Sequence, residues 1–282
     1  RHTRLRRDWS SDVCSSDLEW SLLGGQLTVI VLCMVFARTV AMLANRILDR
    51  KIDADNPRTS GRALPSGKVT TKQAVVALIV NSIMFVALTT IFGFLWDNWL
   101  PTFLALPVLV WLGAYPLFKR FTSMCHFYLG ASLAVSPVAA TIAIDPAFVL
   151  SAQIWLLAGM VLCWVAGFDI IYALQDVEID RRDDLKSIPA RFGERRSLWI
   201  SQLLHLSSVV FLFGVLQLNA RLGTIFLLGI CIVTLILVIE HITVRHWGTT
   251  KMAMTFLTLN GVVSCLLGLA GVIDLLAVSV QL

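Results

Sequence analysis

The stretch "LTVIVLCMVFARTVAMLANRILDRKID", residues 27–53, opens as an apolar run and closes in alternating acids and bases. Between Leu27 and Ala44 the one charged residue is Arg38, and such a run is long enough to cross most of a bilayer core of ~30 Å. Asn45, Asp49 and Asp53 stand at i, i+4 and i+8, which on a helix keeps them on one stripe; Arg38, seven residues before Asn45, lies on that stripe one level deeper. An ionisable residue inside a span costs roughly 2.5–3.5 kcal/mol on insertion scales, so Arg38 implies a polar cavity or an ionic partner. The bland reading of Asp49 and Asp53 is that they are solvated helix-end charges balancing Arg50 and Lys51.

Such runs recur along the whole chain. Of 282 residues 57% are hydrophobic and 15% charged, and the mean hydropathy is +0.79, values that belong to a polytopic helical membrane protein. The expected fold is all-α, a membrane helical bundle with eight visible spans near residues 20–48, 73–96, 99–118, 123–144, 151–175, 197–217, 222–240 and 252–273. Seventeen Lys and Arg lie in or beside the odd-numbered connections and one, Arg221, in the even ones, which places the odd connections in the cytoplasm. The +5 net charge records this bias, so it carries no nucleic-acid inference. Six cysteines form no CxxC pair, and five of them fall within spans; this is neither a zinc pattern nor a disulfide framework.

The N-terminus breaks the charge rule. With eight spans, residues 1–18 would face outside, yet they carry Arg1, Arg4, Arg6 and Arg7 and have no apolar core. The segment reads as non-native, adapter-derived sequence, with the membrane domain at 19–282 and one upstream helix expected to be missing.

At the end of the fifth span the acidic pattern returns. "GFDIIYALQDVEIDRRDD", residues 167–184, sets Asp169, Tyr172, Asp176, Asp180 and Asp184 on a second stripe, with Asp169 and Tyr172 deeper. Each stripe runs into a cytoplasmic loop rich in basic and turn residues, "NPRTSGRALPSGK" (56–68) and "KSIPARFGERR" (186–196). The doubling argues against mere helix-end charges. Two acidic stripes facing each other across a bundle suit a hard divalent cation such as Mg²⁺, which takes one or two carboxylates and fills the rest with water and phosphate, while the nearby bases hold phosphate oxygens.

The pair "NRILDRKID" (45–53) and "YALQDVEID" (172–180), with "YPLFKR" (115–120) between them and "RALPSG" (62–67) and "SIPARFG" (187–193) following, resembles the UbiA family of intramembrane aromatic prenyltransferases. The family's first motif is NDxxDxxxD, and here Arg46 stands where its second letter is commonly Asp, which removes that one position from the ligand set. The resemblance implies nine helices around a central cavity with a lateral opening, of which eight are visible here with the first missing. It implies Mg²⁺ held by Asn45, Asp49, Asp53, Asp176 and Asp180, and a polyprenyl diphosphate neutralised by Lys119, Arg120 and Arg58. It also implies an aromatic acid acceptor whose carboxylate Arg38 would pair. Asp49, Asp176, Lys119 and Asp169 would carry the chemistry. Tyr115 and Tyr172 could face the allylic cation or simply pack, and Asp169 is expected to be buried and to orient Arg38 or Tyr172.

The resemblance further implies a multi-pass protein of the bacterial inner membrane, its site opening to the cytoplasm, partnered by the bilayer and its two substrates and by no obligate protein. The acceptor reads as 4-hydroxybenzoate in quinone biosynthesis, with a dihydroxynaphthoate for menaquinone as the alternative. An ion-coupled transporter is the reading from another class, but its charges would lie at the midplane on broken helices. A CDP-alcohol phosphotransferase lacks its DGxxAR start here. His126 and His205 read as locally satisfied histidines, and Glu240, His241, Arg245 and His246 as solvated. Pro101, Pro107, Pro116 and Pro137 are expected to widen the cavity.

Overall fold

A computed structural model of the chain describes residues 16–248 and 252–280; of the segment 1–18, all but the last three residues lie outside them. The elements are α1 (Ser16–Leu48), α2 (Arg50–Asp55), α3 (Thr71–Trp96), α4 (Leu100–Ala114), α5 (Cys125–Ile144), α6 (Ala152–Ala173), α7 (Val177–Arg182), α8 (Ile188–Phe192), α9 (Glu194–Leu218), α10 (Thr224–Trp247) and α11 (Met252–Val280). Short 3₁₀ segments at Tyr115–Arg120, Pro146–Leu150 and Leu174–Asp176 extend or join them. Among the described residues eight helices are long and apolar enough to cross a membrane. In hydrocarbon every backbone group must be paired within the segment, and the helix is the fold that does so for an isolated run.

The span boundaries move in three places, the eighth span continuing to Ala277. The fifth span continues to Arg182 and the seventh to His246. Local signals set the starts. Before α3, Thr70 and Gln73 form a reciprocal capping box: the Thr70 hydroxyl accepts from Gln73 N–H at 3.2 Å and Gln73 Oε1 from Thr70 N–H at 2.9 Å. Between α8 and α9, Gly193 turns the chain at φ 78°, where a side chain would be strained.

Packing divides the bundle into two groups. Val40, Phe85, Ala105 and Leu109 join α1, α3 and α4 in one. Leu212, Ile230, Val233 and Val263 join α9, α10 and α11 to α6 in the other. The helix α5 lies against α6 through small residues: a Cβ on Gly130 would collide with the Leu162 carbonyl oxygen and stand 3.3 Å from Ala166 N. Close backbone approach of this kind replaces the hydrophobic drive that lipid cannot supply. Between the groups lies a cavity of 880 Å³ walled by α1, α3, α4, α5 and α6; Pro101 and Pro137 line it, while Pro107 stays within α4 and Pro116 is buried.

The end of α10 differs from the solvated cluster expected of Glu240 and His241. Glu240 and His241 are buried, at 3% and 8% exposure, and His241 Nε2 lies 3.0 Å from His205 Nδ1. The helix α10 runs past the expected span end, buries both side chains and carries His241 against α9, so they are not solvated.

Candidate active site

Both acidic stripes end at the same face of the bundle. The first survives a break in the helix at Asp49: Asp49 N–H still bonds the Asn45 carbonyl at 2.9 Å and Asp53 N–H the Asp49 carbonyl at 2.7 Å. The second tightens into a 3₁₀ turn at Leu174–Asp176 before α7. Asp184, expected on that stripe, leaves it; it adopts φ 54°, pairs with Lys186 at 2.5 Å and is 89% exposed.

The carboxylates are paired with cations from other segments. Asp49, only 2% exposed, accepts from Lys119 Nζ at 2.6 Å and Arg120 at 3.4 Å, and Arg120 also donates to the Leu48 carbonyl at 2.7 Å. Asp53, also buried, takes a two-pronged contact from Arg62 at 2.8 and 2.9 Å, with Arg46 at 3.8 Å. Asp176 is held by Arg58 through two bonds, one of them Nε to Oδ1 at 3.0 Å, and by Asn56 Nδ2 at 3.1 Å. Burial, the largest single influence, lowers the pKa of the Arg58 guanidinium; the hydrogen bond and charge of Asp176, together with Tyr172, outweigh it and raise the pKa, so Arg58 stays charged. Arg58 further donates to the Tyr172 hydroxyl at 2.7 Å and lies 5.1 Å from the centre of that ring. The Tyr172 face expected to be open to a cation thus carries a guanidinium already.

The loops are held in register with the helices. In the first, Asn56 Oδ1 accepts from Arg58 N–H at 2.9 Å and the buried Thr59 hydroxyl donates to the Asp53 carbonyl at 2.9 Å. In the second, Lys186 N–H bonds the Lys119 carbonyl at 2.6 Å and Leu185 N–H that of Asp180 at 2.7 Å, which sets Asp180 beside the strand of chain carrying Lys119.

A level below the charged mouth, Asn45 Nδ2 donates to the Tyr115 hydroxyl at 2.6 Å. Tyr115 and Arg38 both line the apolar cavity, so the charged and apolar parts of the site are continuous. Asp169 is corrected in its partner: its Oδ2 lies 2.7 Å from His126 Nδ1, where Arg38 or Tyr172 was expected, and its side chain is 26% exposed rather than buried. Sequence reasoning missed Asn56, Arg62, Arg46 and His126. For Asn56 the run Asp-Asn-Pro-Arg carried a turn signal, and Arg46 stands seven residues before Asp53 on the helical repeat; Arg62 and His126 pair across distances that periodicity does not report.

Asn45, Asp49, Asp53, Asp176 and Asp180 supply only hard oxygens, which fits Mg²⁺ and excludes a soft-metal site. Among the described residues no three acidic, His or Cys side chains converge on a single metal position; Asp49, Asp53 and Asp176 are each turned to a Lys or Arg. The donor set fits the ion; taking it up means exchanging those cations onto an anion such as a diphosphate.

Comparison with known proteins agrees with this geometry. The family model described as "UbiA prenyltransferase family" matches residues 16–262. The chain is 31% identical over 224 residues to the 4-hydroxybenzoate octaprenyltransferase of Chromohalobacter salexigens, covering 79% of this chain and 72% of that protein. It is also 31% identical over 177 residues to the protein of that name from Serratia proteamaculans, of whose length the match spans 59%. The apo structure of a UbiA homolog from Aeropyrum pernix superposes with a TM-score of 0.79 at 26% identity, covering 88% of this chain and 89% of that one. A UbiA homolog from Archaeoglobus fulgidus bound to GPP and Mg²⁺ shares the fold at a TM-score of 0.62 and 16% identity, covering 89% and 87%. With motif order, paired stripes and fold in agreement over most of its length, the chain belongs to the UbiA prenyltransferase family.

Proposed function

We propose that this protein transfers a polyprenyl group from its diphosphate to 4-hydroxybenzoate, with Mg²⁺ as cofactor, at a site opening to the cytoplasmic side of a bacterial inner membrane. The observation that carries the reading is the continuity of an 880 Å³ apolar cavity with a mouth where three aspartates face four paired cations. A long isoprenoid needs the first and a diphosphate the second. The names of the relatives support the acceptor, and the excess of Lys and Arg in the odd connections supports the orientation.

In this mechanism Asn45, Asp49, Asp53, Asp176 and Asp180 would hold Mg²⁺, which neutralises the departing diphosphate. Lys119, Arg120 and Arg58 leave their carboxylates and take the non-bridging oxygens, charge that is worth most where the leaving group gains it. The apolar walls orient the prenyl chain and keep water from the allylic carbon. Arg38, the guanidinium lining the cavity, pairs with the carboxylate of the aromatic acid, for which its planar fork is suited. Tyr115 places its ring at the junction of tail and diphosphate, held there by Asn45. The ring carbon ortho to the acceptor hydroxyl then attacks C1 as the C1–O bond breaks, and loss of the ring proton restores aromaticity.

The test is transfer by protein reconstituted in lipid nanodiscs, given an isoprenoid diphosphate and radiolabelled 4-hydroxybenzoate with Mg²⁺ or with EDTA. Product with Mg²⁺, and none with EDTA, is expected. Product from 1,4-dihydroxy-2-naphthoate alone would reassign the acceptor, and full activity in EDTA would remove the metal from the reading.

A further inference from the structure

His126 reads in the sequence as a bystander, but it occupies a position between two functional segments. It is 2% exposed on α5, its Nδ1 lies 2.7 Å from Asp169 Oδ2, and its Nε2 accepts from Ile188 N–H at 3.1 Å. A ring nitrogen that accepts a backbone N–H carries a lone pair, so the proton sits on Nδ1 and is donated to Asp169. Both nitrogens are then committed. The imidazole is a brace running from the second cytoplasmic loop to a carboxylate on α6.

That carboxylate stands at the reacting level. Asp169 lies on α6 seven residues before Asp176, next to Phe168, which lines the cavity. With a diphosphate at the mouth and its tail in the cavity, the allylic carbon must lie between them. Asp169 has one oxygen fixed by His126 and a side chain still 26% exposed. We propose that Asp169 takes the hydroxyl proton of the aromatic acceptor and that His126 is the residue that positions it.

The inference rests on the aromatic-acid prenyltransferase reading above. The O–H bond of the acceptor breaks and its proton goes to Asp169; the electron pair moves into the ring, whose ortho carbon bonds C1 of the prenyl group as diphosphate leaves with the C1–O pair. The ring C–H proton then departs to the diphosphate, aromaticity returns as a phenolate, and Asp169 returns its proton to that oxygen. The carboxylate ends as it began.

The experiment compares the intact protein with Asp169→Asn, His126→Asn and His126→Gln, using 4-hydroxybenzoate and its 3-fluoro and 2,3-difluoro analogues, which keep one free carbon ortho to an increasingly acidic hydroxyl. For Asp169→Asn, kcat should fall by about 100-fold or more with 4-hydroxybenzoate, the range for a lost general base, and the deficit should shrink as the acceptor becomes more acidic. The KM for the prenyl diphosphate, and diphosphate release without acceptor, should stay as in the wild type. The Asn side chain places an N–H where Nδ1 was and Gln places an oxygen where Nε2 was. His126→Asn should therefore keep most activity, while His126→Gln should mimic Asp169→Asn. A deficit constant across the acceptor series would overturn the proton role of Asp169. An active Gln variant beside an inactive Asn variant would show that His126 acts through the loop, overturning its positioning role. If the wild type released diphosphate but prenylated no aromatic acid, the reading of the site would fall, and the proposal with it.

Discussion

Lys119→Gln should have two effects of opposite sign. In the resting molecule Lys119 Nζ lies 2.6 Å from a carboxylate of Asp49 that is 2% exposed, so lysine and metal compete for one ligand. Unit charges ~4 Å apart attract by roughly 4 kcal/mol at an effective dielectric of ~20, before desolvation is subtracted. A hydrogen bond to a charged group nets roughly 1.5–3 kcal/mol. Because the lysine is 28% exposed, the lower end applies, about 1.5 kcal/mol once solvent screening is allowed for. At ~1.4 kcal/mol per decade, removing the competitor should tighten Mg²⁺ binding about tenfold without substrate. Prenyl transfer should instead slow by about 10²–10³-fold, as for loss of a group that stabilises transition-state charge. Titration calorimetry with Mg²⁺ in nanodiscs reads the first effect and labelled-product formation the second. Weaker Mg²⁺ binding in Lys119→Gln would refute the exchange of partners, because it would mean that lysine helps to build the metal site.

Asp49→Asn and Asp176→Asn should each remove most transfer while the protein still inserts, measured by activity per milligram in the membrane fraction. Arg38→Ala should raise the KM for the aromatic acid about tenfold or more, the worth of one charge-assisted pair, with little change in that for the diphosphate; equal effects would place Arg38 outside the acceptor subsite. Arg62→Ala leaves Asp53 buried with only Arg46, 3.8 Å away, so it should lower thermal stability in the absence of ligand, and saturating Mg²⁺ with diphosphate should recover part of the loss. Gly130→Val should destabilise the α5–α6 contact by about 1–3 kcal/mol, since its side chain meets backbone that cannot yield, and detergent unfolding curves would show it.

The eight spans and the two stripes were legible because hydropathy and the i, i+4 spacing are local properties of the chain. Asn45, Asp49, Asp53 and Asp176 stand where that spacing puts them, even though the helix breaks at Asp49 and tightens before Asp176. Partner choice was not legible. Asp169 meets His126 across 43 residues and Asp49 meets Lys119 across 70, and nothing in a periodicity fixes which cation crosses the bundle. Glu240 and His241 were misread for a related reason: charged neighbours such as Arg245 suggest a span end, but α10 continues past it and His241 meets His205 arriving from α9. Asp184 fits the stripe by number and leaves it because the chain turns left-handed there.

The resting pairs also explain how the site persists at the edge of a membrane. Asp49 and Asp53 are nearly inaccessible, and an isolated carboxylate in that setting would be held only at a large desolvation cost. Each is compensated by a cation from another segment: Asp49 from the 3₁₀ turn after α4, Asp53 from the first loop and the end of α1, Asp176 from the first loop. The same contacts therefore fasten the first loop and the 3₁₀ turn to the bundle and keep the basic groups within a side chain's reach of where a diphosphate would lie. A dianionic or trianionic headgroup arriving with Mg²⁺ replaces one balanced set of charges by another, metal on carboxylate and arginine or lysine on phosphate, without leaving a buried charge unpaired. Either partner alone has no such exchange available, since Mg²⁺ would displace cations with nowhere to go and a free diphosphate would strand the aspartates. Binding of metal and diphosphate should consequently be cooperative, each raising the affinity for the other by the same factor, and two independent affinities in a crossed titration would contradict the pairing described here.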